Sequence, residues 1–365
     1  MAFALNGALP LSIIGRAYVW LQEEIAMRHS IEALATTLTA IVLIFSITSL
    51  RAEQTALEDV IIAVPNFTFT LTPNFVADEL GLWAKHGLRV KMIQITGIGA
   101  TNAVISGSAD FSQAGGSTLT RAAAQGQRLL AIANTAERNI VAITLRKEVA
   151  AAAGFDPKAP LAQRAQALRD RTIGVGAINA NPHAFLLVVA ARGGIGPDQF
   201  RVTAMEGNAM LAAFQSKQID GMSNSPPFPL KPVVDGASVL LASGPAGDPP
   251  NAFPFAYNVI QTRPDTCEKR KSVCNKMGQV MKEAVAYIHE HPAETIALLQ
   301  KRFANLEPAL IAVSFEEIRK STPRVPLVSK EALENADGFN IEAGLLKPED
   351  KLKSYDGLYT NDYVK

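Results

Sequence analysis

From Asp59 onward the chain alternates short apolar runs with amphipathic stretches, a rhythm that predicts strands feeding helices. Asp59 to Val64 (DVIIAV) is apolar after its first residue, as a buried strand requires, and Pro65 ends it. The loop Asn66-Phe67-Thr68-Phe69-Thr70 then leads into a helix with Pro73 near its start and Gly87 as its stop, Phe75, Leu80 and Trp83 lying along one side. A second strand is expected over 88–95, after which Gly97-Ile98-Gly99-Ala100 opens another helix. Strand, helix, strand in this order implies a parallel sheet with right-handed crossovers.

The rhythm restarts further on. Thr172 to Gly176 (TIGVG) reads as a strand, Asn181-Pro182 starts a helix running to Arg192, and Phe200 to Met205 is the next strand. The halves also share a local phrase. In the first, a helix ends at Ser106-Gly107, Ser108-Ala109-Asp110-Phe111 enters a strand, and Gly115-Gly116-Ser117-Thr118 begins a helix. In the second, a helix ends near Ser216-Lys217, Gln218-Ile219-Asp220-Gly221 enters a strand, and Ser223-Asn224-Ser225-Pro226 is expected to begin a helix. A repeat weak in identity but matched in order predicts two similar α/β lobes and a cleft between them. Phe255 to Gln261 reads as a strand returning the chain to the first lobe, and from Pro264 to about Asn340 the pattern is helical, a C-terminal part expected to pack on that lobe. Tyr355, Tyr359 and Tyr363, four residues apart in the tail, read as docking contacts that would form a stripe on a helix.

The N-terminal part breaks this pattern. Ala33 to Leu50 carries no charge, with Arg28 before it and Arg51-Ala52-Glu53 after it, the layout of an export signal with a cut after Ala52. An uncleaved anchor is the alternative, because the stretch approaches the length of a membrane span. Met27 offers a second start beside Met1. Residues 1–52 are therefore read as extension and signal, 53–142 with 255–365 as lobe I, and 143–254 as lobe II.

Composition adds exclusions. The 365 residues are 48% hydrophobic and 19% charged, with 35 basic against 34 acidic side chains spread along the chain, which gives a polyanion no footprint and makes nucleic acid a poor partner. Cys267 and Cys274 are the two cysteines. In an oxidising compartment they pair if one lies off the helix that begins nearby, since seven residues of continuous helix would hold them about 10 Å apart; two free thiols are the other reading. Motifs of hydrolases, zinc proteases and nucleotide-binding loops do not stand out. No cofactor or metal is called for: His289-Glu290-His291 are consecutive and point different ways around a helix.

Four phrases in order carry a family resemblance: ADELGLWAKHGLRVKM, GSADFSQAGGSTLTRAAAQGQ, TIGVGAINANPHAFL and QIDGMSNSPP, within a span from Asp59 to about Pro292. The sequence resembles substrate-binding proteins of ABC transporters of the nitrate, sulfonate and taurine type, which share a fold with the thiamine-pyrimidine precursor proteins. The resemblance implies a two-lobed periplasmic-binding-protein fold, each lobe a mainly parallel sheet flanked by helices. It further implies a monomeric periplasmic protein that is not an enzyme, a ligand between the lobes, a hinge closure over it, and an ABC permease as partner. An exported enzyme on the same fold and a membrane-tethered sensor are the competing classes. Fungal relatives that make the thiamine pyrimidine use a cysteine-rich run and a reactive histidine, and the two cysteines here do not supply that run.

Ligands of open α/β sheets sit beyond the carboxyl ends of the strands, which selects the loops 66–70, 97–100, 115–118, 177–183 and 223–227. The candidate ligand-binding residues are Phe67, Thr68, Phe69, Gly97, Gly116, Ser117, Thr118, Asn179, Asn181, His183, Asn224 and Ser225. Ser117 and Thr118 serve equally as helix caps, His183 as a packed histidine, and Asp110 and Asp220 as structural turn residues. These loops hold no Lys or Arg, so an anion would rest on backbone N–H groups at helix N-termini with hydroxyls and amides. Phe67, Phe69, Phe228 and Phe253 offer an aromatic wall, and together these features favour an organic sulfonate or carboxylate with a hydrophobic body.

Overall fold

Two five-stranded sheets organise the chain, and each repeats the strand order of the other. The computed structural model describes residues 56–365. The stretch expected to direct export and both alternative starts lie outside the described residues. Strands β1 (Glu58–Val64), β2 (Leu88–Gln94), β3 (Phe111–Ala114) and β4 (Leu130–Ala136) join β10 (Asn258–Thr262) in the order β2-β1-β3-β10-β4. Strands β5 (Ala142–Arg146), β6 (Thr172–Val175), β7 (Arg201–Ala204), β8 (Gly221–Asn224) and β9 (Ser238–Ser243) assemble as β7-β6-β8-β5-β9. In the first sheet β1 runs parallel to β2 and β3, while β10 is antiparallel to β3 and β4. The second copies this, β6 being parallel to β7 and β8 and β5 antiparallel to β8 and β9.

The two aspartates of the repeated phrase show how deep the duplication goes. Asp110 donates its N–H to the Ile61 carbonyl and accepts the Ile61 N–H on its carboxylate at 2.8 Å. Asp220 does the same to Thr172, again at 2.8 Å. Each carboxylate thus satisfies a donor of the neighbouring central strand where the ladder begins, which is the structural role expected of it.

β10 enters the first sheet after the chain has built the second, and β5 enters the second directly after the first. The two crossings, residues 137–141 and 244–257, run side by side. Gly244 donates to the Val141 carbonyl, Phe255 to that of Glu137 and Tyr257 to that of Ala136. A Cβ on Gly244 would stand 2.2 Å from the Asn139 carbonyl oxygen, so only glycine allows the crossings to lie this close.

After β10 the chain is helical. The helix Lys271–Glu290 buries Val273, Met277, Val280, Met281, Ala284 and Ile288, a spacing of three and four residues that forms one apolar stripe, and lays it on the helix Thr72–Glu79 and on β4 of the first lobe. No helix of the described residues is long and apolar enough to cross a membrane.

Three local expectations change. The helix expected to run to Gly87 is two, Thr72–Glu79 and Leu82–Lys85, divided at a left-handed Gly81. Ser223-Asn224-Ser225-Pro226 does not begin a helix: Ser223 and Asn224 finish β8, and only Lys231–Val234 is helical beyond them. Prolines at 226, 227 and 229 remove backbone donors and disfavour a regular helix over this stretch. The tail tyrosines sit on irregular chain: Tyr355 donates its hydroxyl to buried Asp337, and Tyr359 bridges to Ala131.

Cys267 and Cys274 form a disulfide, with Cα atoms 5.5 Å apart. Cys267 lies in the helix Pro264–Lys269 and Cys274 in Lys271–Glu290; the break at Arg270 provides the condition on which pairing depended. Closing so short a loop restricts the unfolded chain by about 2–3 kcal/mol. Replacing both cysteines by serine is expected to lower urea-unfolding stability by that amount, with dithiothreitol destabilising the parent and not the variant.

Candidate functional site

The carboxyl ends of β1, β2 and β3 face those of β6, β7 and β8 across a cleft of about 260 Å³. Each strand end contributes a loop. From the first lobe come Pro65 to Thr68 with Thr70, then Thr96 and Gly97, then Gly115 and Thr118; from the second come Gly176 and Ala177 with Ala180 to Pro182, Glu206 to Asn208, and Ser225 with Phe228. Tyr257 and Asn258, at the end of the second crossing, close the back.

Of the candidate residues, Phe67, Thr68, Gly97, Thr118, Asn181, Asn224 and Ser225 line this cleft. The others stand elsewhere for visible reasons. Phe69 is fully buried, its ring centroid 4.8 Å from that of Phe303. The Gly116 N–H is bonded to the Ala256 carbonyl. Ser117 turns its hydroxyl to the Asn181 amide oxygen. Asn179 is left-handed and gives its N–H to His183 Nδ1 at 3.0 Å, while its carbonyl accepts from Arg121 at 2.8 Å. Phe253 lies outside, under the Arg138 guanidinium at 4.1 Å. His289 meets the Thr322 carbonyl and His291 stacks on Tyr287.

His183 therefore acts as a hydrogen-bond acceptor, and burial lowers its pKa, so the imidazole is neutral. Asn181 joins the lobes by accepting from Ser117 and donating to the Tyr257 carbonyl at 3.2 Å. Ser225 pairs with the Tyr257 hydroxyl at 2.7 Å, and Asn258 donates to the Thr70 carbonyl at 3.0 Å. Thr118 links the cleft to a buried polar chain through Thr101, 3.0 Å away, which accepts from Gln261 at 2.8 Å. These bonds fix the back wall.

Sequence reading missed Gln94, Thr96, Tyr257, Asn258 and the whole loop after β7, Glu206 to Asn208. The signal for that loop was the repeat itself. β7 occupies in the second sheet the place β2 holds in the first, so its end must face the cleft as Gly97 does. Glu206 accepts from the Thr96 hydroxyl across the cleft at 3.4 Å. Gly207 carries the ring of Phe228: a Cβ there would lie 2.2 Å from the ring tip.

Among the described residues no three His, Cys, Asp or Glu side chains are grouped to hold a metal. The cleft instead suits a small organic molecule: three aromatic residues, Phe67, Phe228 and Tyr257, a neutral amide- and hydroxyl-rich wall, and one carboxylate.

Two lobes of repeated topology, joined by paired crossings and enclosing such a cleft, define a periplasmic-binding-protein fold. The NMT1/THI5 like family model matches residues 68–295, more than half of the chain, and the chain belongs to that family. A Brucella abortus protein named "Putative binding protein" is 27% identical over 245 residues, 64% of this chain and 69% of that protein. Among solved structures, the alkanesulfonate-binding protein SsuA from Xanthomonas axonopodis pv. citri, bound to MOPS, superposes with a TM-score of 0.64 at 17% identity, over 81% of this chain and 96% of that one. The periplasmic nitrate-binding protein NrtA from Synechocystis gives 0.64 at 15% identity, over 84% and 87%. At these identities the likeness to the two structures is one of fold.

Two outcomes follow from the wall. Gly207→Ala drives a methyl into the Phe228 ring and is expected to cost about 1–3 kcal/mol in chemical denaturation, a cost that Phe228→Leu in the same chain largely relieves. Burial pushes the Tyr257 phenol up to about 12, against the Ser225 hydrogen bond that opposes it. The folded state then holds this proton where the unfolded chain, near 10, has released it. Its contribution is complete below pH 10 and is lost as pH rises through 12. Stability should fall by roughly 2–3 kcal/mol more between pH 10 and 12 in the parent than in Tyr257→Phe.

Proposed function

We propose that the protein is an extracytoplasmic solute-binding protein that captures a small organic molecule between its lobes and delivers it to an ABC importer. The observation that carries this is the convergence of six strand-end loops, three from each sheet, on one cleft faced by Phe67 and Phe228. Family membership and the fold agree with it. Export is supported by the uncharged segment 33–50 of the sequence and by the disulfide, which belongs in an oxidising compartment.

Binding without turnover fits the chemistry of the wall. His183 spends Nδ1 on a backbone N–H, and Ser225 is bonded to a phenol rather than to a base, so neither forms an activated nucleophile pair. The paired crossings act as the hinge on which the second lobe moves as a monomeric receptor closes. Contacts at the cleft edge, Thr96 with Glu206 and Arg121 with the Asn179 carbonyl, are those closure makes and opening breaks. The alkanesulfonate-binding SsuA and the nitrate-binding NrtA favour an anion, as the sequence led one to expect, whereas the one charged residue in the lining is Glu206.

The test is a thermal-shift screen of refolded full chain against sulfonates, aromatic acids, amines, nitrate and pyrimidines, followed by small-angle scattering with any hit. A ligand of the folded state raises the melting temperature and lowers the radius of gyration. Phe67→Ala with Phe228→Ala is expected to weaken that ligand by about tenfold or more. A hit whose affinity ignores both rings, or whose chemical turnover is detected, overturns the reading.

A further inference from the structure

We propose that Glu206 sets the charge of the ligand, so that the cleft takes an organic cation with N–H donors, such as a protonated amine or an amidine, and rejects sulfonates and nitrate. The proposal rests on the cleft being the ligand site. Glu206 is the sole charged residue in the lining. Among the described residues no Lys, Arg or His nitrogen lies within 4.0 Å of its carboxylate, which accepts the long bond from Thr96. Arg121 gives one guanidinium N–H to the Asn179 carbonyl, and Arg138 lies over the face of Phe253 outside the cleft.

An anion would need donors: four at the loops of the parallel strands are spent, and the Gly207 and Asn208 N–H groups, with no partner among the described residues, stand beside the Glu206 carboxylate that would repel it. The Gly116 N–H goes to Ala256, that of Thr118 to Gly115, that of Asn179 to His183 and that of Ala180 to Ala177. His183 accepts rather than donates at Nδ1 and brings no positive charge. A sulfonate would meet no cation in the lining, only Arg121 at the edge, and a carboxylate beside it, which costs affinity on Coulombic grounds.

A cation meets the reverse. Glu206 supplies a charge-assisted acceptor, and the amide oxygen of Asn66 with the side chains of Gln94 and Asn208 adds polar partners at the mouth. Phe67 and Phe228 bring aromatic rings to the lining, and a ring face attracts a cation and repels an anion. Charge and aromatic character of the wall therefore agree.

The probes are a near-isosteric set: benzamidine and benzylamine against benzoate and benzenesulfonate, titrated calorimetrically into full chain refolded from denaturant. Benzamidine is expected to bind and the two acids not to. Glu206→Gln should weaken benzamidine by roughly tenfold or more while leaving the melting temperature of the free protein in place, because this carboxylate is exposed; Glu206→Lys should admit benzoate. Binding of benzenesulfonate, silence from benzamidine at millimolar concentration, or benzamidine affinity unchanged in Glu206→Gln overturns the assignment. Sulfonate binding that the Phe67→Ala, Phe228→Ala variant abolishes removes the charge assignment and keeps the receptor. Benzamidine binding indifferent to both sets of variants removes both.

Discussion

The structure depends on an exchange of strands. Each sheet completes itself with an antiparallel member, β10 in one and β5 in the other, that the chain places only after crossing from the opposite lobe. Neither lobe is therefore a contiguous segment, and the crossings are pinned to each other by backbone hydrogen bonds around Gly244. Two adjacent strands of chain bend together far more readily than they shear. The crossings arrive at the back of the cleft, at Tyr257 and Asn258, so the link between the lobes borders the site.

Placement of the site follows from the parallel part of each sheet. β1, β2 and β3, like β6, β7 and β8, end on the same side and leave their loops there, where backbone groups are not consumed by the ladder. Loop geometry then decides which groups remain for a guest. Internal bonds at Gly116, Asn179 and Ala180 take the donors that a helix start would otherwise present. What is left is the start of the helix Gly207–Gln215 and side chains, mostly neutral amides and hydroxyls with a single carboxylate.

Most of the architecture was legible because it is written in local pattern. DVIIAV and TIGVG read as strands, Asn181-Pro182 as a helix start, and the matched phrases around Asp110 and Asp220 as a duplication. The paired carboxylate contacts to Ile61 and Thr172 give that duplication a physical reason. What was not legible depends on partners distant in sequence. Phe67 and Phe69 are two residues apart in one loop, and only the position of Phe303 decides that Phe69 is core and Phe67 is wall. Likewise Asn179 reads as a candidate donor until His183 is seen to take its N–H.

Glu206 shows a different kind of gap, since nothing nonlocal was required to find it. Its loop follows a strand recognised in the sequence, and the duplication maps that strand onto β2, whose loop at Gly97 was already placed in the site. Carrying the repeat through every loop, rather than those rich in Gly, Ser and Thr, puts a carboxylate in the cleft before any coordinates are considered. The preference for small polar residues follows from anion binding at helix starts, and it filtered out the residue that argues against an anion. In a duplicated fold the topology is thus a better guide to the lining than the chemistry assumed for the guest, because the strand ends must converge whatever side chains they carry.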